Sequence, residues 1–144
     1  MKVIKQTLRN SCMYCVLAMI TNETEDYVID WFKNYGEGVT LTILDANIYL
    51  AHHGVFLCTE VFNVDSSVID AEYISIIKFD GTPLIVTVVS EDFPEFGHTI
   101  YWDGAKVHDP NPNTRRSKLS EYEVKNMYPV TTVVCRETDN PWQA

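Results

Sequence analysis

The sequence predicts an α+β domain in which N-terminal helices pack on an antiparallel β-sheet. Three observations predict it. Up to Gly54, apolar residues recur at helical spacing, and cap signals open and close the runs. After Gly54 the period shortens toward two. Asp103-Gly104 then sits between two apolar runs, which is a hairpin signal and not the long crossover a parallel sheet needs.

Taken in order, residues 2–5 are short and partly apolar. Asn10 and Ser11 can cap a helix, and residues 12–20 contain no breaker, so a helix begins at or just before Cys12. Asn22 with Glu25 three residues on reads as a capping box. The stripe Tyr27, Val28, Trp31, Phe32 and Tyr35 follows as core or near-core, and Gly36 stops that helix. Thr42 with Asp45 opens a third helix, with Leu44, Ile48 and Ala51 as its apolar stripe and Gly54 just past its end. His52 and His53 sit near its C-terminus, where the dipole favours them.

Residues 56–62 alternate as a strand, and residues 66–79 read as a short helix and loop. Pro83 opens an apolar strand, Leu84–Val89, and Gly97–Trp102 forms another. Residues 106–109 return after the Asp103-Gly104 turn, and Pro110 and Pro112 end that strand. Residues 119–125 hold one or two helical turns, residues 129–136 form a final strand, and the polar tail from Thr138 is frayed apart from Trp142. No internal repeat or low-complexity tract interrupts the chain.

Length and composition bound the function. The 144 residues suit one domain spanning 1–144, with 46% apolar residues for its core. A net charge of −9 argues against nucleic acid and against anionic membranes as partners. Arg115, Arg116 and Lys118 read as a solvated loop. No run approaches the 18 apolar residues of a membrane span, and no charged-then-apolar leader opens the chain. Free thiols in a reducing, cytoplasmic setting are therefore the expectation for Cys12, Cys15, Cys58 and Cys135, with Cys58 and Cys135 buried in strands.

The chemistry gathers around Cys12. A thiol attacks as thiolate, and a helix N-terminus lowers its pKa. A nucleophilic cysteine also needs a base, and the base needs an orienting group. His98, at the start of an apolar strand, is the best base. If Asp103 and Gly104 alone form the turn, Trp102 opposes Ala105 and Asp109 opposes His98 on one face, roughly 5 Å apart at Cβ. Asp109 then orients the ring. The Gln6 amide and the Cys12 backbone N–H are candidate oxyanion donors. His108, next to Asp109 in a strand, faces the other way. Glu91, Asp92, Phe93, Glu95 and Phe96 precede His98 and read as either a specificity loop or a solvated one.

These residues resemble those of a known family. Gln6 and Cys12 have the glutamine–five residues–cysteine spacing of papain-like cysteine peptidases. Cys12-Met-Tyr-Cys-Val-Leu17-Ala18-Met19 is similar to the nucleophile helix of the peptidases that trim double-glycine leaders from bacteriocin precursors. Gly97-His98-Thr-Ile-Tyr and His108-Asp109-Pro110 resemble that family's histidine strand and Asp-Pro motif. The resemblance covers residues 6–110. It implies a papain-like fold and a hydrolase acting on an amide or isopeptide bond of a peptide or protein. Cys12 is then the nucleophile, His98 the base and acid, Asp109 its partner and Gln6 the oxyanion donor, with no metal and no cofactor. Met13, Phe96 and Gly97 are the candidate substrate contacts. Met13 stands where the family usually has glycine and Ser11 where it often has aspartate.

Other readings stay open. A relative without activity would keep the cleft for a partner protein, and Met13 favours that. Cys12-x-x-Cys15 admits thiol–disulfide exchange, and Thr82-Pro83 before a strand echoes it, but the polar residues 2–10 do not make the apolar strand that should precede such a motif. Zinc fits poorly, because Cys58 and Cys135 are isolated and His52 and His53 point about 100° apart on a helix. Cys15 reads most simply as core.

Overall fold

The computed structural model describes residues 2–33, 40–57, 62–68 and 71–132. The expectations for Tyr35, Gly36, Cys58, Cys135, Trp142 and the end of the last strand fall outside them. Among the described residues, four helices, α1 (Cys12–Thr21), α2 (Glu25–Trp31), α3 (Ile43–His52) and α4 (Ala71–Asp80), accompany six strands. These are β1 (Val55–Leu57), β2 (Phe62–Val68), β3 (Leu84–Val89), β4 (Gly97–Trp102), β5 (Val107–His108) and β6 (Glu123–Thr132). All strand pairs are antiparallel, in the order β1-β6-β3-β4-β5, with β2 also on β6. The α+β class holds.

The apolar run of β3 is buried on both faces, which is why it reads as nearly continuous and not alternating. Ile85 joins Tyr101 under α1, α2 and α3, in a core with Val16, Leu17, Val28, Tyr49 and Leu50. Leu84, Val86 and Val88 join Ile100, Trp102, Val124 and Met127 on the other face, with Ile77 of α4, Leu119 and Tyr122. Pro129 sits inside central strand β6, where a missing N–H should cost a ladder bond. It falls where the neighbour on one side changes from β2, ending at Met127, to β1, starting at Val130.

Several local expectations are corrected. Ser11 precedes α1 but makes no side-chain cap; its hydroxyl is used elsewhere, as described below. Asn22 is the left-handed end of α1 (φ 56°) and does not start α2. Thr24 caps α2 instead, accepting from the Tyr27 N–H at 3.1 Å. Tyr27, expected in the core, is 40% exposed. Thr42 and Asp45 do form a capping box. The stripe read for α3 is the wrong one, however: Leu44 is 66% exposed, while Ala46, Tyr49 and Leu50 are buried. Tyr49 won because its ring packs edge-on against Trp31 and its hydroxyl meets Thr21 at 2.8 Å.

Residues 66–68 belong to β2, and α4 starts at Ala71, so the segment read as helix and loop is strand then helix. Residues 119–121 make one 3-10 turn, and β6 starts at Glu123, earlier than expected. Arg115 and Lys118 are exposed as expected, but Arg116 is half-buried: its guanidinium donates to the Val89 carbonyl at 3.3 Å and lies 5.3 Å from the Tyr122 ring centre.

The hairpin register also differs. Trp102 pairs with Val107 and Tyr101 with His108, so four residues make the turn and Asp109 does not oppose His98 directly. The Asp103 carboxylate accepts from the N–H groups of Ala105 and Lys106 at 2.8 and 2.7 Å and stabilises the wider turn. A two-residue shift preserves the face of every side chain, so Asp109 becomes a diagonal neighbour of His98 instead of an opposite one.

Candidate functional site

The N-terminus of α1 delivers Cys12 to the end of the sheet where β4 begins. Residues 6–11, which lead into it, are held from two sides. The Gln6 N–H donates to the Pro110 carbonyl at 2.8 Å, and the Lys5 ammonium donates to the Asp109 carbonyl at 2.8 Å. From below, the Glu25 carboxylate is only 7% exposed and accepts four bonds. They come from the Thr7 N–H (3.1 Å), the Thr7 hydroxyl (2.6 Å), the Ser11 hydroxyl (2.8 Å) and the Cys15 thiol (3.0 Å). Burial pushes this carboxyl up, but the bonds from Thr7, Cys15 and Ser11 outweigh it and hold it below its ordinary value.

His98 and Asp109 meet. The His98 Nε2 donates to Asp109 Oδ1 at 2.6 Å, and the other ring nitrogen, Nδ1, is left for Cys12. Asp109 is itself oriented: the Tyr122 hydroxyl donates to Oδ2 at 2.7 Å and the Asn111 N–H donates to Oδ1 at 2.8 Å. Burial alone would lower the histidine's pKa, yet the bonds and charges of Asp109 and Cys12 push it up to about 9. Burial would likewise raise the Cys12 pKa. The His98 bond and charge, with bonds from the Thr99 backbone and side chain, bring it below its ordinary value. Asp109 is lowered: burial opposes this and is outweighed by the bonds from His98, Tyr122 and Asn111 and by the charge of His98. Thiol, imidazole and carboxylate thus stabilise one another as thiolate, imidazolium and carboxylate.

Compared with protein-family models, with curated proteins and with solved structures, this chain matches none, and the site is read from its own geometry. Gln6 lies in the same groove as Cys12 and His98. Its amide hydrogens donate to the Leu8 and Arg9 carbonyls at 2.9 and 3.1 Å. Flipping the amide would set oxygen against those two oxygens, so the orientation is determined. The groove encloses about 930 Å³. Met13 contributes to its lining but is only 4% exposed and packed in the core, so it does not plug the groove. Gly97 and Phe96, the latter 55% exposed, line the groove too. The loop over residues 90–96 is tied down by its acidic side chains, with Asp92 accepting from the Asn111 amide (3.0 Å) and Glu91 from the Thr114 hydroxyl (2.9 Å).

Cys12 and Cys15 are both free thiols. His108 turns to Asp103 at 2.7 Å, away from the Cys12 cluster, as its strand parity requires. Among the described residues no cluster of three His, Cys, Asp or Glu could hold a metal ion, and no helix is long and apolar enough to cross a membrane.

Sequence reading missed three contributors. Glu25 left a trace: with Val28 and Phe32 it falls at i, i+3 and i+7, on the apolar face of its helix, and a carboxylate there must find donors. Thr99, one residue after His98, and Tyr122, thirteen residues after Asp109, left none.

Proposed function

We propose that the protein is a papain-like thiol hydrolase that cleaves an amide or isopeptide bond in a peptide or protein, similar in its site to the double-glycine leader peptidases. The observation that carries this reading is the line Cys12–His98–Asp109, with His98 Nε2 2.6 Å from Asp109 and the thiol and imidazole shifted toward their charged forms.

In this reaction the Cys12 thiolate attacks the carbonyl carbon, and the oxygen takes the negative charge. The Cys12 N–H, in the first turn of α1, has no intrahelical acceptor and can donate to that oxygen. Gln6 donates there once it releases one of its two carbonyl partners. His98 Nδ1 gives its proton to the leaving amine, the C–N bond breaks and a thioester remains. His98 then takes a proton from water, which attacks the thioester; the C–S bond breaks, restoring the thiolate–imidazolium pair and releasing a carboxylic acid, which gives its proton to solvent. Asp109 keeps Nε2 protonated throughout, which leaves Nδ1 for the reaction.

Hydrolysis is favoured over disulfide exchange. A resolving thiol must ionise and reach the partner disulfide, yet Cys15 is fully buried and its pKa is pushed up by burial and by Glu25.

A mass-spectrometric screen of peptide mixtures tests the proposal. Wild-type protein should generate new termini, and Cys12→Ala and His98→Ala should not. Cleavage that survives in Cys12→Ala would refute it.

A further inference from the structure

The groove beside Cys12 contains a cation that the reaction does not use. Arg9 lies three residues before the nucleophile, with its guanidinium carbon 4.3 Å from the Phe93 ring centre and 5.9 Å from that of Phe96. All three line the groove with Cys12 and His98, and both rings are open to solvent, 42% and 55% exposed. The chain carries 20 acidic residues against 11 basic ones, yet among the described residues Arg9 forms no ion pair. Asp92, the carboxylate in the groove lining, is held by Asn111 at 3.0 Å.

A guanidinium lying on an aromatic face keeps its in-plane N–H edge available, and that edge matches a carboxylate in bidentate fashion. Two rings under the head group also restrict its motion before anything binds. The backbone beneath is set as well: Gln6 holds the Arg9 carbonyl at 3.1 Å, and the Ser11 hydroxyl accepts from the Leu8 N–H at 3.1 Å. The distance from this cation to the Cys12 sulfur is therefore determined by the loop and not by a flexible side chain alone.

We infer that Arg9, stacked on Phe93 and Phe96, is a carboxylate subsite, and that the substrate carries a carboxylate close to the bond Cys12 attacks. This rests on the hydrolase reading above. The carboxylate has two chemical sources, an acidic side chain or a free C-terminus.

The test labels Cys12 in the full chain with two maleimides of similar size, neutral N-ethylmaleimide and anionic 3-maleimidopropionate, and follows the modified Cys12 peptide by mass spectrometry at neutral pH. The anionic-to-neutral rate ratio should exceed that of N-acetylcysteine. Arg9→Gln should reduce it about three- to tenfold, and Arg9→Lys should retain part of it. Lys78→Gln removes the same charge outside the groove lining and should leave it unchanged. Added salt should compress the wild-type ratio toward that of Arg9→Gln.

Protection of Cys12 by N-acetyl-glutamate α-amide assigns an acidic side chain, and protection by N-acetyl-glycylglycine assigns a C-terminus. A ratio identical in wild type and Arg9→Gln, with Cys12 still reacting below the ordinary thiol pH range, overturns the subsite and leaves the hydrolase reading standing. Labelling of Cys12 by both probes at the rate of an ordinary thiol overturns both.

Discussion

Cys12 and Cys15 lie on the same helix, less than one turn apart, and the fold drives them in opposite directions. Burial raises both thiols. Cys12 meets an imidazolium and the Thr99 N–H and hydroxyl, and it ends below its ordinary value. Cys15 is fully buried, donates to the Glu25 carboxylate at 3.0 Å and ends well above it. Helix position works in the same direction, since the dipole is strongest at Cys12 and fades within the first turn. The neighbouring charge reverses the burial shift at Cys12 and only adds to it at Cys15. One thiol is placed to be an anion and the other to be a hydrogen-bond donor that locks the approach to the first.

The largest break in this comparison should come from His98→Ala. Without the imidazolium, burial of Cys12 is opposed only by the Thr99 bonds. The midpoint of its alkylation profile should move upward past the ordinary thiol value, and the rate near pH 7 should fall on the order of 100-fold. Iodoacetamide kinetics across pH measure both. In wild type the thiolate appears below that ordinary value, and the imidazolium persists until about pH 9.

Glu25→Gln should cost about 1–3 kcal/mol of stability, since a neutral amide cannot accept all four donors. Glu25 has a folded pKa below its ordinary 4.5, so its stabilisation is complete above that value and is lost as pH falls through the folded pKa. Denaturant melts should therefore show a shallower acid limb in the variant. Cys15 should stay unreactive, because burial is the first cause of its shift. If Cys15 became alkylatable in the folded variant, the charge would outweigh burial and the contrast would need restating.

Asp109→Asn should slow Cys12 alkylation near pH 7 by about tenfold, roughly 1.4 kcal/mol. Its amide still bonds the ring but supplies no charge, so the upper limb of the pH profile should shift below pH 9. The smallest effect belongs to Cys15→Ala, at about 1 kcal/mol of stability. Quantitative labelling should still modify Cys12, with an unchanged pH midpoint.

The sequence showed much of the site and misjudged how it is assembled. The local turn signal pairs Asp109 with His98 through a two-residue turn that the protein does not use. The pairing survived because a two-residue slip leaves side chains on the same face, and the Tyr122 and Asn111 bonds then aim the carboxylate. Ser11 was expected to cap α1. It lies at that helix end but spends its hydroxyl on Glu25 and Leu8. On α3 the periodic stripe Leu44, Ile48 and Ala51 lost to Ala46, Tyr49 and Leu50. The two sets lie on nearly opposite faces, about 180° apart at about 100° per residue, and both are largely apolar. Spacing therefore does not choose between them, and the rings packed against Tyr49 do.

The sequence by itself determined the class, the start of the helix that carries Cys12, the strands from Leu84 to Trp102 and which cysteine, histidine and aspartate come together. Each depends on local spacing, on turn residues or on which side chains can carry a proton. The tertiary structure alone decided the charge environment: that Glu25 lies beneath residues 7–15, that Thr99 and Tyr122 join the line of polar groups, and that Arg9 rests on Phe93 and Phe96. These contacts join residues far apart in the chain, or turn on where a side chain ends up when the core packs. A charge shifts its neighbours' pKa values through distance in space, which sequence separation does not encode.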